Sequence, residues 1–178
     1  KIKDAVLING TETDELIDAA ASAILEQARS ESLTSLEYTY SSIKNGESYP
    51  LYSDEIKNQI DEAYAAAKEA INGATSYSEL KSASETTITT LIRADGKAQI
   101  LSFLTEDDKE NTKNIATSAC QRIDSASSSD EIAEIVEESK KNILRQRGKN
   151  EIDDYISSLN IPEGKESLIT DIKNTAFN

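Results

Sequence analysis

Apolar residues recur along this chain at intervals of three and four, the spacing of one face of an α-helix. Ile56, Ile60, Ala63 with Tyr64, Ala67 and Ile71 form one series, and Leu80, Ala83, Ile88, Leu91 and Ile92 form the next. Ile132, Ile135, Val136, Ile143 and Leu144 make a third; Leu16, Ala20, Ile24, Leu25 and Ala28 make an earlier one. No stretch alternates apolar and polar residues as a half-buried strand does. Helix-start signals fall where the periodicity restarts. Ser76 with Glu79, and Ser128 with Glu131, have capping-box spacing: the hydroxyl accepts from one free amide and the glutamate reaches back to another. Asn160 with Glu163 repeats that spacing, and Pro162 between them is tolerated in a first turn. Ser53-Asp54-Glu55, and Thr105 followed by Glu106, Asp107 and Asp108, place acids where a helix dipole favours them.

The pattern then returns as a copy. Ile71-Asn72-Gly73-Ala74-Thr75-Ser76-Tyr77-Ser78-Glu79-Leu80 reappears 52 residues later as Ile123-Asp124-Ser125-Ala126-Ser127-Ser128-Ser129-Asp130-Glu131-Ile132. The register holds through Glu85/Glu137, Arg93/Arg145, Gly96/Gly148, Lys97/Lys149 and Ile100/Ile152. An earlier copy is Ile8-Asn9-Gly10-Thr11-Glu12-Thr13-Asp14-Glu15-Leu16, with Ile24 and Arg29 standing for Ile88 and Arg93. A fixed period of this size marks a stack of small units.

Each unit resolves into three helical pieces. A short first piece carries Leu33, Leu36 and Tyr40, then Ile100, Phe103 and Leu104, then Ile152, Tyr155, Ile156 and Leu159. A second helix is predicted over residues 53–72, 106–124 and 163–177, and a third over 77–93 and 129–146. The third runs straight into the next first piece, because Ile92-Gly96-Ile100 and Leu144-Gly148-Ile152 keep four-residue spacing with no proline between. Gly96 and Gly148, with Ser32 in the corresponding place, read either as small residues where a neighbouring loop crosses closely or as hinges between units. The predicted fold is all-α: an elongated tandem array of three-helix bundles joined by shared long helices. Residues 1–30 are a partial first repeat, 31–93 a second, 94–146 a third and 147–178 a partial fourth. The chain starts at Lys1 in what reads as mid-helix, so it is expected to be part of a longer polypeptide.

Composition agrees with narrow helical seams. Of 178 residues, 37 % are hydrophobic, with no Trp, no Met and two Phe, while Pro (2) and Gly (6) are scarce. That leaves little for a large irregular core and suits helices. Net charge is −14, from 33 acids against 19 bases. Phosphate backbones and anionic lipid surfaces repel such a chain, so neither nucleic acid nor a membrane is an expected partner. No apolar run approaches the ~18 residues needed to span a bilayer.

The runs Ile123–Ile132, then a Val/Ile-rich helix, then Arg147-Gly148-Lys149-Asn150-Glu151-Ile152-Asp153-Asp154-Tyr155-Ile156 resemble the helical repeats of Gram-positive cell-surface proteins. That group includes albumin-binding modules, FIVAR-type modules and the repeat regions of giant staphylococcal surface proteins. The resemblance covers residues 8–177 and implies a three-helix-bundle fold, an extracellular or wall-attached location, no catalysis, and a spacer or host-protein-binding role. It carries over no binding residue.

Residue chemistry points the same way. Histidine is absent, which removes Ser-His-Asp and Cys-His catalysis and the commonest zinc ligand. The single cysteine, Cys120, reads as a small apolar residue beside the buried stripe. Glu106-Asp107-Asp108 and Asp153-Asp154 read as solvated helix starts and faces, since adjacent acids on a helix diverge. No catalytic, cofactor-binding or metal site is expected, and no cofactor. Lys140, Lys141, Arg145, Arg147 and Lys149 read as a helix C-terminal basic cluster, with partner docking as the second reading.

One segment departs from the period. Leu16 to Leu80 spans 64 residues against 52 afterwards, so about 12 extra residues fall within 37–52, read as an inserted loop. It holds Tyr38, Tyr40, Tyr49 and Tyr52, four of seven tyrosines. Tyrosine gives wide contact at little entropic cost, which suits a protein-binding surface; the alternative is that Tyr40 and Tyr52 pack over a bundle end. The expected function is a monomeric, non-catalytic extracellular spacer, or else a module that binds a host or partner protein through a helix face or this loop.

Overall fold

The computed structural model describes residues 10–159 and 164–177. Their secondary structure is helical, with no strand among the described residues: α1 (Gly10–Lys44), α2 (Asp54–Gly73), α3 (Tyr77–Leu101), α4 (Glu110–Ser125), α5 (Ser129–Ser158) and α6 (Glu166–Phe177), with a 3-10 turn at Tyr49–Leu51. The protein is therefore all-α. The long helices α1, α3 and α5 run unbroken through Ser32, Gly96 and Gly148. Ile8 and Asn9 of the earliest repeat copy, and the Asn160–Glu163 capping pair, lie outside the described residues.

The joints between short and long helices follow from the repeated sequence. At the first, Ser76 Oγ accepts from the amide of Glu79 at 3.2 Å. The Glu79 carboxylate accepts from the amide and the hydroxyl of Thr75, both at 2.8 Å. At the second, Ser128 Oγ accepts from Glu131 N at 3.2 Å, and Glu131 accepts from Ser127 N and Oγ at 2.7 and 2.8 Å. These are the predicted capping boxes, with the glutamate reaching one residue further back than the usual box. Those hydrogen bonds, led by the backbone amide of Thr75 or Ser127, hold both carboxyls below the ordinary glutamate range.

Three boundaries differ from expectation. α1 continues to Lys44, so Tyr38 and Tyr40 lie on a helix and only 45–53 remains between α1 and α2. The chain turns there through Asn45 and Gly46, whose amides donate to Ser41 O and Ile43 O at 3.0 and 3.1 Å. α4 starts at Glu110 rather than 106, because Thr105 and Asp108 spend the cap-like spacing on a closed turn. Asp108 N donates to Thr105 O at 3.2 Å, and Thr105 N donates back to Asp108 Oδ2 at 2.7 Å. α3 stops at Leu101, which leaves Phe103 and Leu104 beyond the helix that was to carry them.

The contacts divide the chain into two units, Lys1–Tyr49 with Asp54–Ile92, and Pro50–Ser53 with Arg93–Asn178. In the first, α1 packs on α2. Leu36 and Ile43 from α1 and Ile60, Ala67 and Ile71 from α2 are buried, as are Leu80 and Leu91 from α3. In the second, α5 packs on α4 and α6. Its buried residues include Ala98 and Ile100 from α3, Ala116, Ala119 and Ile123 from α4, and Ile132, Ile135, Val136 and Ile143 from α5. Thr112 is buried where the repeat partner 52 residues earlier is Ile60. Its hydroxyl accepts from Asn150 Nδ2 at 3.1 Å, and the Asn150 amide exchanges hydrogen bonds with Asn111 at 2.9 and 3.1 Å. Buried polar groups held this way fix register, since a slip would orphan them.

The two glycines of the long helices do different jobs. A Cβ on Gly96 would lie 2.8 Å from Ile132 Cγ2 and 3.4 Å from Ile123 Cδ1, so the crossing there is of helices and needs glycine. A Cβ on Gly148 would meet nothing within 4 Å.

Candidate functional site

The tyrosine-bearing segment of the first unit forms a ladder between α1 and α2. Tyr40 stacks on Tyr64, with ring centroids 4.0 Å apart and planes 16° from parallel. Tyr40 Oη donates to Asp61 at 2.6 Å and accepts from Lys44 Nζ at 3.0 Å; Tyr64 Oη donates to Glu37. Lys44 lies 5.0 Å from the Tyr40 ring centre and 5.7 Å from that of Tyr49, and Lys57 is also 5.7 Å from Tyr49. Burial and then the Asp61 hydrogen bond push the Tyr40 phenol up, while the hydrogen bond to Glu37 does most for Tyr64. The Tyr40 hydrogen bond raises Lys44. Both phenols stay protonated donors and neither is an acid or a nucleophile at neutral pH.

The four tyrosines singled out by sequence do not make one surface. Tyr40 and Tyr49 share Lys44, while Tyr38 points away at 75 % exposure. Tyr52 is buried and belongs to the second unit, where its hydroxyl donates to Asp95 Oδ1 at 2.7 Å. Burial, then that bond, raises its pKa. Asp95 continues to Gln99, 2.9 Å away, and Gln99 accepts from Lys140 at 3.0 Å.

Two arginines that the sequence shows only as repeat matches close the ends of the short helices. Arg29 of α1 donates from Nη2 to the carbonyl of Ala74 at 2.7 Å, and Arg93 of α3 does the same to Ala126 at 2.6 Å. Each cation therefore satisfies a carbonyl just past the end of a short helix, where helix dipoles favour positive charge. In both, the Nε is buried without a protein partner. The signal was present: Arg29, Arg93, Ala74 and Ala126 were all repeat matches. Arg145, the next in register, is exposed and lies 3.5 Å from Asn142.

Arg147 is the other residue without a predicted role of its own. Its Nε and Nη2 grip Asp108 at 2.7 and 2.6 Å, Nη2 also reaches Phe103 O at 2.7 Å, and the guanidinium lies 5.2 Å from the Phe103 ring centre. Asp108 is 7 % exposed, so it is not the solvated helix-start acid expected. The Arg147 hydrogen bonds, against the cost of burial, hold its carboxyl well below the usual range and raise Arg147 in turn. Of the basic cluster, Arg147 and Lys140 are engaged inside the second unit, while Lys141 and Arg145 are exposed.

The remaining chemistry is sparse. Burial pushes the Cys120 thiol up, away from nucleophilic use. Among the described residues no group of three or more His, Cys, Asp or Glu is placed to hold a metal ion. No described helix is long and apolar enough to cross a membrane. No family model, curated protein or solved structure matches this chain. Its functional class therefore rests on its own geometry: a helical protein whose joints are built twice from the same residues.

Proposed function

We propose that this chain is a non-catalytic helical repeat region acting as a spacer or stalk in a surface-exposed or secreted bacterial protein. The observation that carries the reading is the duplicated joint. Ser76 and Glu79 with Arg29, and Ser128 and Glu131 with Arg93, use the same atoms at distances equal within 0.1 Å. A spacer gains length by repeating the same connection, with each unit touching only its neighbours. Long helices that pass unbroken through Ser32, Gly96 and Gly148 supply bending resistance. On this reading the units are three-helix bundles in tandem, each sharing a long helix with the next, in an extended string outside the cell or on its wall as part of a larger polypeptide. The resemblance to Gram-positive surface repeats supports the same assignment.

The test is to lengthen the string. Duplicating residues 94–145 adds one period in register. Solution scattering then shows a longer maximum dimension at constant cross-section. Growth in all directions would overturn the spacer reading.

A protein-binding module is the second reading, favoured by Tyr38 standing 75 % exposed on α1. It predicts retention of a serum protein that Tyr38→Ala abolishes. No retention, or retention unchanged in that variant, removes Tyr38 as the basis for binding.

A further inference from the structure

Three Asn-Gly pairs occur in the chain, Asn9-Gly10, Asn45-Gly46 and Asn72-Gly73, and Asn9 lies outside the described residues. An asparagine before glycine is open to attack on its own side chain. Glycine has no Cβ to shield its amide nitrogen, so that nitrogen can reach the Asn Cγ once the backbone turns to present it. The two described pairs share this chemistry and an exposed asparagine, but not their backbone. Asn72 and Gly73 are the last two residues of α2. A helical amide points along the axis at the carbonyl four residues back, away from the side chain before it. The flanking Ile71 and Ala74 are 0 and 7 % exposed, and the Ala74 carbonyl accepts from Arg29 Nη2 at 2.7 Å. Turning this backbone toward the Asn72 side chain means lifting the joint out of the core of its unit. Asn45 and Gly46 lie just past α1, in a turn where Asn45 and Glu47 are exposed. Asn45 N donates to Ser41 O at 3.0 Å, Gly46 N donates to Ile43 O at 3.1 Å, and Gly46 O accepts from Tyr49 N at 3.1 Å. Fraying at this helix end frees the Gly46 amide and leaves the buried joint alone.

We propose that Asn45 is a site of spontaneous modification, deamidating through a ring closed with Gly46, while Asn72 is protected by its joint. Gly46 N bonds to Asn45 Cγ and the Cγ–Nδ2 bond breaks. The side-chain nitrogen leaves as ammonia, carrying the proton of the Gly46 amide. Water then opens the cyclic imide. Attack at the side-chain carbonyl gives aspartate; attack at the backbone carbonyl gives isoaspartate, with the chain running through the former side chain. Water is the only co-reactant. Either product puts a carboxylate one residue past Lys44, at a helix C-terminus whose dipole disfavours it. Isoaspartate also adds a backbone carbon between residues 45 and 46, so Gly46 N loses its register with Ile43 O. The turn between α1 and α2 therefore loosens as the molecule ages. The inference does not depend on the spacer reading, and its failure would leave that reading standing.

The test is peptide mapping by mass spectrometry on the full chain, held folded in mildly alkaline buffer for weeks. The expected result is that the peptide with Asn45 gains one mass unit, as a mixture of aspartate and isoaspartate. The peptide with Asn72 converts more slowly by about tenfold or more, because its backbone opens only with the buried joint. In denaturant nothing holds either pair, and the two convert at like rates, which assigns the difference to the fold. Asn45→Gln lengthens an exposed side chain and is expected to keep the wild-type circular dichroism while residue 45 stays unconverted over the same period. Asn45→Asp, which copies one product, is expected to lower the thermal midpoint slightly. A folded chain whose residue 45 stays intact while the denatured chain converts overturns the proposal. So does a folded chain in which Asn72 keeps pace with Asn45.

Discussion

At the scale of single residues, charge-assisted hydrogen bonds hold the turns. The bidentate Arg147–Asp108 pair ties the segment between α3 and α4 to α5, with Asp108 nearly all buried. Removing one partner strands the other, so Arg147→Met is expected to destabilise the second unit by about 2–4 kcal/mol in urea unfolding at pH 7. Acid should reproduce part of that loss. Asp108, Glu79 and Glu131 all have carboxyls lowered by folding. Such a group contributes its full stability above its unfolded pKa of about 4 and loses it as pH falls through the lower folded value. Stability is therefore flat near neutrality and declines below about pH 4. Asp108→Asn is weaker than wild type at pH 7 and converges on it in strong acid; an unchanged gap at low pH would contradict the assignment. The two caps provide an internal control. Ser76→Ala and Ser128→Ala should each cost about 1 kcal/mol, and by similar amounts, because the joints are copies.

Among the elements, sequence pattern located the helices better than their ends. Ser-x-x-Glu marked both joints, since that signal is local and nothing distant competes for its atoms. Thr105-x-x-Asp108 has comparable spacing and its carboxylate reaches back to Thr105 N, but the pair closes a turn instead of starting a helix, and the same carboxylate also accepts from Arg147, 39 residues away. The Tyr40–Tyr64 stack was equally hidden: helical spacing places each ring on its helix, but the alignment of α1 against α2 decides that they meet. Arg29 and Arg93 were visible as repeat marks, while their role as caps depended on where the next helix ends. The two long-helix glycines were indistinguishable by sequence. Gly148→Ala meets open space and is expected to stabilise by roughly 0.5–1 kcal/mol, the ordinary helix-interior gain. Gly96→Ala must displace the branched, buried Ile132, so it is expected to lower the thermal midpoint instead. Equal shifts in the two variants would mean that the crossing at Gly96 is not tight.

For the whole molecule, the proposed spacer is a string of like units connected by the duplicated joints. Each unit draws its stability from narrow seams of Ile, Leu and Ala within itself, and histidine chemistry is absent from the chain. Length set by repeat number is the property such a design delivers. The most direct measurement is small-angle X-ray scattering of the chain in dilute solution. A single compact body of this length would have a radius of gyration of about 16 Å. The tandem string predicts a clearly larger value, with a distance distribution skewed into a long tail. A radius near that of the compact body, with a symmetric distribution, would contradict it.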